Sequence, residues 1–176
     1  MYYRRARVQG ATYFFTVNLA DRSSDALVRN IGALRQSMAA VKAAHPFSLV
    51  AMVVLPDHLH AIWRLPKNDA DYSVRWSLLK AGFSRQLEKT ESIAPSRAFK
   101  RERGLWQRRF WEHQIRDEDD LARHVDYIHF NPVKHGWSDS PVTWAHTTLH
   151  GYIARGWLPE NWGGCGADES IERGER

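Results

Sequence analysis

Two histidines set one residue apart, His58 and His60, lie inside the apolar run LPDHLHAIW. Side chains alternate along a strand, so both imidazoles point to one face while Leu59, Ala61, Trp63 and Leu65 point to the other. Same-side neighbours on a strand lie about 6 to 7 Å apart, close enough for two imidazoles to share one metal ion. The plainer use of the pair is two half-exposed histidines on a face left open beside an apolar core face. Further along, Asp120, His124, Tyr127 and Asn131 recur at helical spacing and form a polar stripe beside Leu121, Val125 and Ile128. Tyr127 and Asn131 stand one above the other, so the Asn oxygen can complete a strand-borne metal site with the phenol held next to it. The structural alternative has Tyr127 flanking the core with its hydroxyl in water, and Asn131 ending the helix before Pro132. A phenol ionises near about 10, so attack at neutral pH needs help. Mg²⁺ or Mn²⁺ on two imidazoles and an amide oxygen supplies part of it by polarising a phosphate.

The elements that must position these groups follow from pattern. Residues 11 to 19 are aromatic and β-branched and predict a strand. Leu27, Ile31, Leu34, Met38 and Val41 predict one helix from an N-cap at Ser24 to His45-Pro46. Residues 47 to 54 and 58 to 65 predict two strands, antiparallel because their connection is short. Residues 72 to 88 predict a second helix, with Gly82 weakening it, and 106 to 115 a fourth strand after a loop over 91 to 104. Asp117 to Asp120 put acid at the start of a third helix that runs toward Pro132. The order predicts an α+β fold: a ferredoxin-like split βαβ antiparallel sheet with helices on one face and a C-terminal extension. Residues 1 to 136 form the expected catalytic domain. Residues 137 to 162 form an extension rich in tryptophan (Trp137, Trp144, Trp157, Trp162), and 163 to 176 a flexible tail.

Composition narrows the partners. The chain has 176 residues, with 25 Lys+Arg against 20 Asp+Glu and a net charge of +5, which favours an anionic partner, nucleic acid first. Arg97, Lys100, Arg101, Arg103, Arg108 and Arg109 interleave with Phe99, Trp106 and Phe110, the pattern of phosphate contacts beside base-stacking rings. The alternative is a solvated loop whose aromatics turn inward. Arg4, Arg5 and Arg7 make a second basic patch. A single cysteine, Cys165, excludes a disulfide framework and a Cys-based zinc cluster. No stretch reaches the roughly 20 apolar residues of a membrane helix, and the N-terminus lacks an apolar leader. No membrane partner and a cytoplasmic, nucleoid-associated location are therefore expected. His45, His113, His129, His135, His146 and His150 default to structural or surface roles.

LPDHLHAIW followed far downstream by YIHFNPVKHG resembles the REP-associated tyrosine transposases, a branch of the single-tyrosine HUH transposases of the IS200-like type. The segments YYRRARVQGATYFFTV and WQRRFWEHQIRDEDDL are similar to the same family, and together these stretches span most of the chain through Gly136. The resemblance implies metal-dependent cleavage and joining of single-stranded DNA beside REP-like palindromic hairpins, by a monomer or homodimer. It carries His58 and His60 over as metal ligands, Tyr127 as nucleophile and Asn131 as third ligand, where relatives often have Gln and where His124 or Asp120 could substitute. It also suggests that Arg4, Arg5 and Arg7 contact a guide sequence beside the hairpin. Attack by Tyr127 would give a 5′-phosphotyrosine and a free 3′-hydroxyl, a reversible exchange that rejoins DNA without ATP. Two rivals stay open: a hairpin-binding protein without chemistry, and a metal-dependent phosphodiesterase using water. A zinc peptidase is disfavoured because no HExxH occurs.

Overall fold

The computed structural model describes residues 7–91, 99 and 103–164. Arg4, Arg5, Arg97, Lys100, Arg101, Cys165 and most of the expected tail lie outside the described residues. Four strands, β1 (Thr12–Asn18), β2 (Ser48–Val54), β3 (His58–Arg64) and β4 (Trp111–Gln114), form one antiparallel sheet in the order β2-β3-β1-β4. The helices are α1 (Ala26–Arg29), α2 (Ile31–Ala44), α3 (Tyr72–Gln86), α4 (Glu118–Lys134) and α5 (Leu149–Ala154). The expected α+β class and split βαβ order are therefore present. The crossover through α1 and α2 joins β1 to β2 around β3, and that through α3 joins β3 to β4 around β1.

Alternation along β1 and β3 decides what each face of the sheet carries. Tyr13, Phe15, Val17, Leu59, Ala61 and Trp63 point into a first core with Leu34 and Val41 of α2 and Trp76, Leu79 and Phe83 of α3. Trp63 stacks on Trp76 at 4.0 Å between ring centroids. Phe14 and Ile62 point the other way and meet Tyr127 and Ile128 of α4, together with Val53 of β2. The expectation of helices on one face holds only for the two crossovers; α4 lies on the opposite face. The face bearing His58 and His60 is consequently closed, not open as its polarity suggested, and both imidazoles are buried. The apolar stripe of α4 needed a partner, and Phe14, Ile62 and Val53 supply one.

Three boundaries also differ. The first helix breaks at Asn30, whose φ of −113° leaves the helical region and whose Nδ2 donates to Ala26 O. The fourth strand is shorter than expected, because Trp106 makes only an isolated bridge with Leu19 while Trp106 and Phe110 pack into the first core. The third helix passes through Pro132 and stops at Gly136. Gly136 has φ of 69°, and Gly136 N donates to Val133 O while Trp137 N donates to Pro132 O. That left-handed glycine closure, rather than the proline, ends the helix.

Beyond it the chain returns to the edge of β2. Val53 bridges Thr147, Val54 N donates to His146 O, and Trp144 Nε1 donates to Val54 O. Pairing of this kind protects a sheet edge from other chains. Trp137 and Trp157, by contrast, are exposed. His129 on the back of α4 faces this extension, with its Nε2 at 3.1 Å from Thr148 Oγ1. Burial holds its imidazole down at about 4. Because the folded form resists protonation, His129 contributes stability that is present above its ordinary value of 6.5 and lost as pH falls from there toward 4. Replacing His129 by Leu should flatten the dependence of urea-unfolding stability on pH in that window by up to about 1.4 kcal/mol per pH unit. An unchanged slope would show that His129 does not couple the extension to protonation.

Candidate active site between strand and helix

The site grows from three adjoining positions. Asn18 pairs with His58 and Thr16 with His60 across β1 and β3, so the hydroxyl of Thr16 reaches His60 Nδ1 at 2.9 Å. His58 Nδ1–H donates to Asp57 Oδ1 at 2.7 Å, and Arg22 Nε holds the other oxygen of Asp57 at 2.7 Å. In the tautomers in which each Nδ1 carries the proton, both Nε2 lone pairs are left for another partner. The two rings are 5.1 Å apart. Burial lowers the pKa of His58 against the opposing pull of Asp57, and lowers that of His60 well below the ordinary value. Both imidazoles are thus neutral at pH 7, the form that can ligate a metal.

Helix α4 brings the second half. The Asp117 carboxylate caps its start by accepting from Asp120 N at 2.7 Å, with Glu118, Asp119 and Asp120 in the first turn. One face then presents His124, Tyr127 and Asn131 toward β1 and β3. The Tyr127 ring stands edge-on to His60 at 5.2 Å and to Phe14 at 5.9 Å. Asn131 is 0% exposed, and among the described residues neither its Oδ1 nor its Nδ2 has a hydrogen-bond partner; His60 Nε2 is likewise buried and without one there. Unpaired buried polar atoms cost about 1 to 3 kcal/mol each, and three of them on neighbouring faces of β3 and α4 leave room for a partner that would satisfy them. An imidazole nitrogen and an amide oxygen suit a divalent ion. By donor type, His58, His60 and Asn131 suit such an ion.

Several groups missed in the sequence border this centre. Lys134 Nζ lies 4.7 Å from the Tyr127 ring centroid, two turns along α4, and His135 packs against His58 at 5.0 Å. Asp57 was visible beside the histidine pair; Thr16 becomes evident only from strand register. His113, Asp120 and His124 bring three potential ligand atoms within 4.8 Å of one another, a spacing that could hold an ion. The Asp120 carboxylate there already accepts from His113 Nε2–H at 2.8 Å and Arg116 N at 3.0 Å, with Arg116 and Arg123 guanidinium groups beside it. Although burial works against it, these bonds hold its carboxyl at about 2. His124 Nδ1–H donates to Asp120 O at 2.8 Å. With two cations adjacent, the cluster can serve as an ion-paired cap, while the spacing of its ligand atoms also suits a metal ion.

The basic segment divides. Arg7, Arg108 and Arg109 are exposed. Arg103 instead turns inward: it pairs with Glu91 at 2.5 Å and donates to the carbonyls of Ser84, Leu87 and Glu88, fixing the end of α3. The expectation that Arg103 contacts DNA thus meets a guanidinium whose donors are engaged within the chain. Of the three interleaved aromatics, only Phe99 is exposed.

A four-stranded split βαβ sheet with a His-x-His pair under a helical tyrosine is a fold and an arrangement that can be compared with known proteins. No family model matches the chain. It is 44% identical over 163 residues to a Haemophilus influenzae protein bearing the name REP-associated tyrosine transposase, covering 92% of this chain and 93% of that one. It is 42% identical over 174 residues to the REP-associated tyrosine transposase of Escherichia coli K12, covering 99% and 96%. The solved structure of a REP-associated tyrosine transposase bound to a REP hairpin superposes with a TM-score of 0.81 at 42% identity, covering 100% of this chain and 98% of that one. The chain belongs to the REP-associated tyrosine transposases. Among the described residues, no helix is long and apolar enough to cross a membrane.

Two expected outcomes follow from the geometry. Asn131→Leu removes an unpartnered amide, so without metal its melting temperature should equal or exceed the parent's. Added Mn²⁺ should raise the parent's melting temperature and leave the variant's unmoved; equal rises in both would remove Asn131 from the ligand set. Arg103→Ala should cost about 2 kcal/mol at pH 7 by breaking a half-buried pair and its carbonyl contacts. The hydrogen bond from Arg103 holds Glu91 at about 2, below its ordinary 4.5. That increment is therefore present above 4.5, and the gap between parent and variant should narrow as pH falls toward 2. A gap that does not change with pH would assign the loss to the carbonyl contacts alone.

Proposed function

We propose that this protein binds single-stranded DNA carrying REP-like hairpins and cleaves and rejoins it through Tyr127. The observation that carries the proposal is the buried Tyr127 ring edge-on to His60, beside the unpartnered His60 Nε2 and Asn131 amide. A relative of solved structure is bound to a REP hairpin, and the net positive charge of this chain suits such a partner.

In this reading Tyr127 Oη loses its proton and attacks the scissile phosphorus, the bond to the 3′-oxygen breaks, the upstream strand leaves as a 3′-hydroxyl by gaining a proton, and the 5′-phosphate of the downstream strand remains on the tyrosine. Attack by a 3′-hydroxyl on that phosphotyrosine reverses the exchange and joins strands. A bound Mg²⁺ or Mn²⁺ would polarise the phosphate and offset charge on its oxygens. His58, His60 and Asn131 hold it, with Asp57 and Thr16 keeping the imidazoles oriented. Lys134 sets positive charge over the phenol ring, where a phosphate would also meet it. Tyr127 is only 2% exposed, so a phosphate reaches the hydroxyl after local rearrangement of its cover, of which the flexible Lys134 chain is part. Arg4, Arg5, Arg7, Arg97, Lys100, Arg101, Arg108 and Arg109 track the DNA backbone, and residues 1 to 136 carry the catalytic unit.

The test is incubation with an end-labelled REP hairpin oligonucleotide having single-stranded flanks, with Mg²⁺, followed by denaturing electrophoresis. The parent should form a protein–DNA adduct; Tyr127→Phe should form none while binding DNA within a few-fold of the parent. Adduct in Tyr127→Phe would place the nucleophile elsewhere, cleavage without adduct would support hydrolysis by water, and binding without cleavage would support the silent binder.

A further inference from the structure

Given the role proposed for Tyr127, we propose that Trp111 is the stacking platform for an unpaired base next to the cleaved phosphate. Trp111 pairs with Thr16 across β1 and β4, and Thr16 holds His60, so the tryptophan stands on the same sheet face as the histidine pair, two strands away. It is 41% exposed, although a lone exposed ring needs no explanation of its own. What singles this one out is how it is mounted and what surrounds it.

On its inner side Trp111 is parallel to His113, with an interplanar angle of 6° and centroids 6.0 Å apart, and His113 stacks on His124 at 4.8 Å. Asp120 fixes both imidazoles, one through its carboxylate and one through its carbonyl. Phe14 meets Trp111 edge-on at 5.7 Å and also contacts His124 and Tyr127. The ring is therefore held by a ladder that ends at His124, and one phenylalanine, Phe14, meets both Trp111 and Tyr127. Exposed cations lie nearby in the chain and at the Asp120 end of the ladder: Arg109 two residues before Trp111, and Arg116 and Arg123, ion-paired with Asp120 and with 72% and 61% of their side chains exposed. An aromatic ring with a partly open surface among guanidinium groups is the arrangement that binds unpaired nucleotides, with cations on phosphates and the ring on a base. Trp106 and Phe110, the rings first suspected of this from the sequence, are taken up by the core. The His113–Asp120–His124 cluster, which the mechanism does not use, thereby has a purpose as the mount.

A chemical double-mutant cycle on the full chain tests the proposal. REP hairpin oligonucleotides carrying one abasic nucleotide at each successive position of the single-stranded flanks are titrated against the parent, Trp111→Ala and Trp111→Phe. At one flank position the abasic change should weaken parent binding by about five- to a hundred-fold, the range of one stacked base. Trp111→Ala should weaken binding of the intact oligonucleotide by a similar factor, should lose nothing further at that abasic position, and should keep ordinary additive losses elsewhere. Trp111→Phe should recover most of the affinity. Additive losses at every position, or a Trp111→Phe as weak as Trp111→Ala, would overturn the platform. Adduct formation by the parent on the unmodified oligonucleotide reports the Tyr127 reading separately, since binding coupling at Trp111 is read without cleavage.

Discussion

Helix α4 lies over the polar face of β3, and nearly every feature of the site is a consequence of that closure. Two imidazoles, a phenol and an amide are taken out of water together, and in a dry interface each polar atom must find a partner or carry a penalty. The Nδ1 atoms find theirs in Asp57 and Thr16. His60 Nε2 and the Asn131 amide find none among the described residues. The surrounding apolar contacts of Phe14, Ile62, Val53 and Ile128 must outweigh that loss, which is why the same helix carries both the chemistry and the second core. On the other side of the sheet, the Trp63–Trp76 stack and the buried faces of α2 and α3 make β1 and β3 stiff supports for it.

How far this was legible varies with the range of the interaction that decides it. The facing of His58 and His60 depends only on strand alternation, and the grouping of Tyr127 with Asn131 only on helical pitch, so both could be read locally. Amphipathicity told which stripe of α4 is buried but not against which surface; hence the histidine face was expected to be open. Pro132 looked like a terminator because its constraint acts on its neighbour, whereas the left-handed geometry available to Gly136 sets the end one turn later. Asn131 therefore stays inside the helix, and Lys134 reaches the tyrosine ring. Thr16 carries no signal until its register with His60 is known. Arg103 misled for the opposite reason: a run of like charge looks solvated, yet its partners, Glu91 and the carbonyls at the end of α3, are distant in sequence.

Asp120 links the ends of the site. At the start of α4 its charge suits the helix dipole, while its carboxylate and carbonyl hold the rings of His113 and His124. From Asp120 to Lys134 the helix rises about 21 Å at 1.5 Å per residue, carrying in order the residues that hold His113 and His124, the phenol proposed as nucleophile, the buried amide and the cation over the phenol. Because these groups share one rigid element, capped by Asp117 at one end and closed at Gly136 at the other, their mutual distances depend little on the loops around them. A shift of α4 along the sheet would displace all of them at once. The strands opposite contribute the remaining fixed points, His58 and His60 on β3 and Thr16 on β1. Precision at this centre therefore comes from one helix registered against two central strands, and the C-terminal extension reinforces the same register by tying the edge strand β2 to the segment that follows α4.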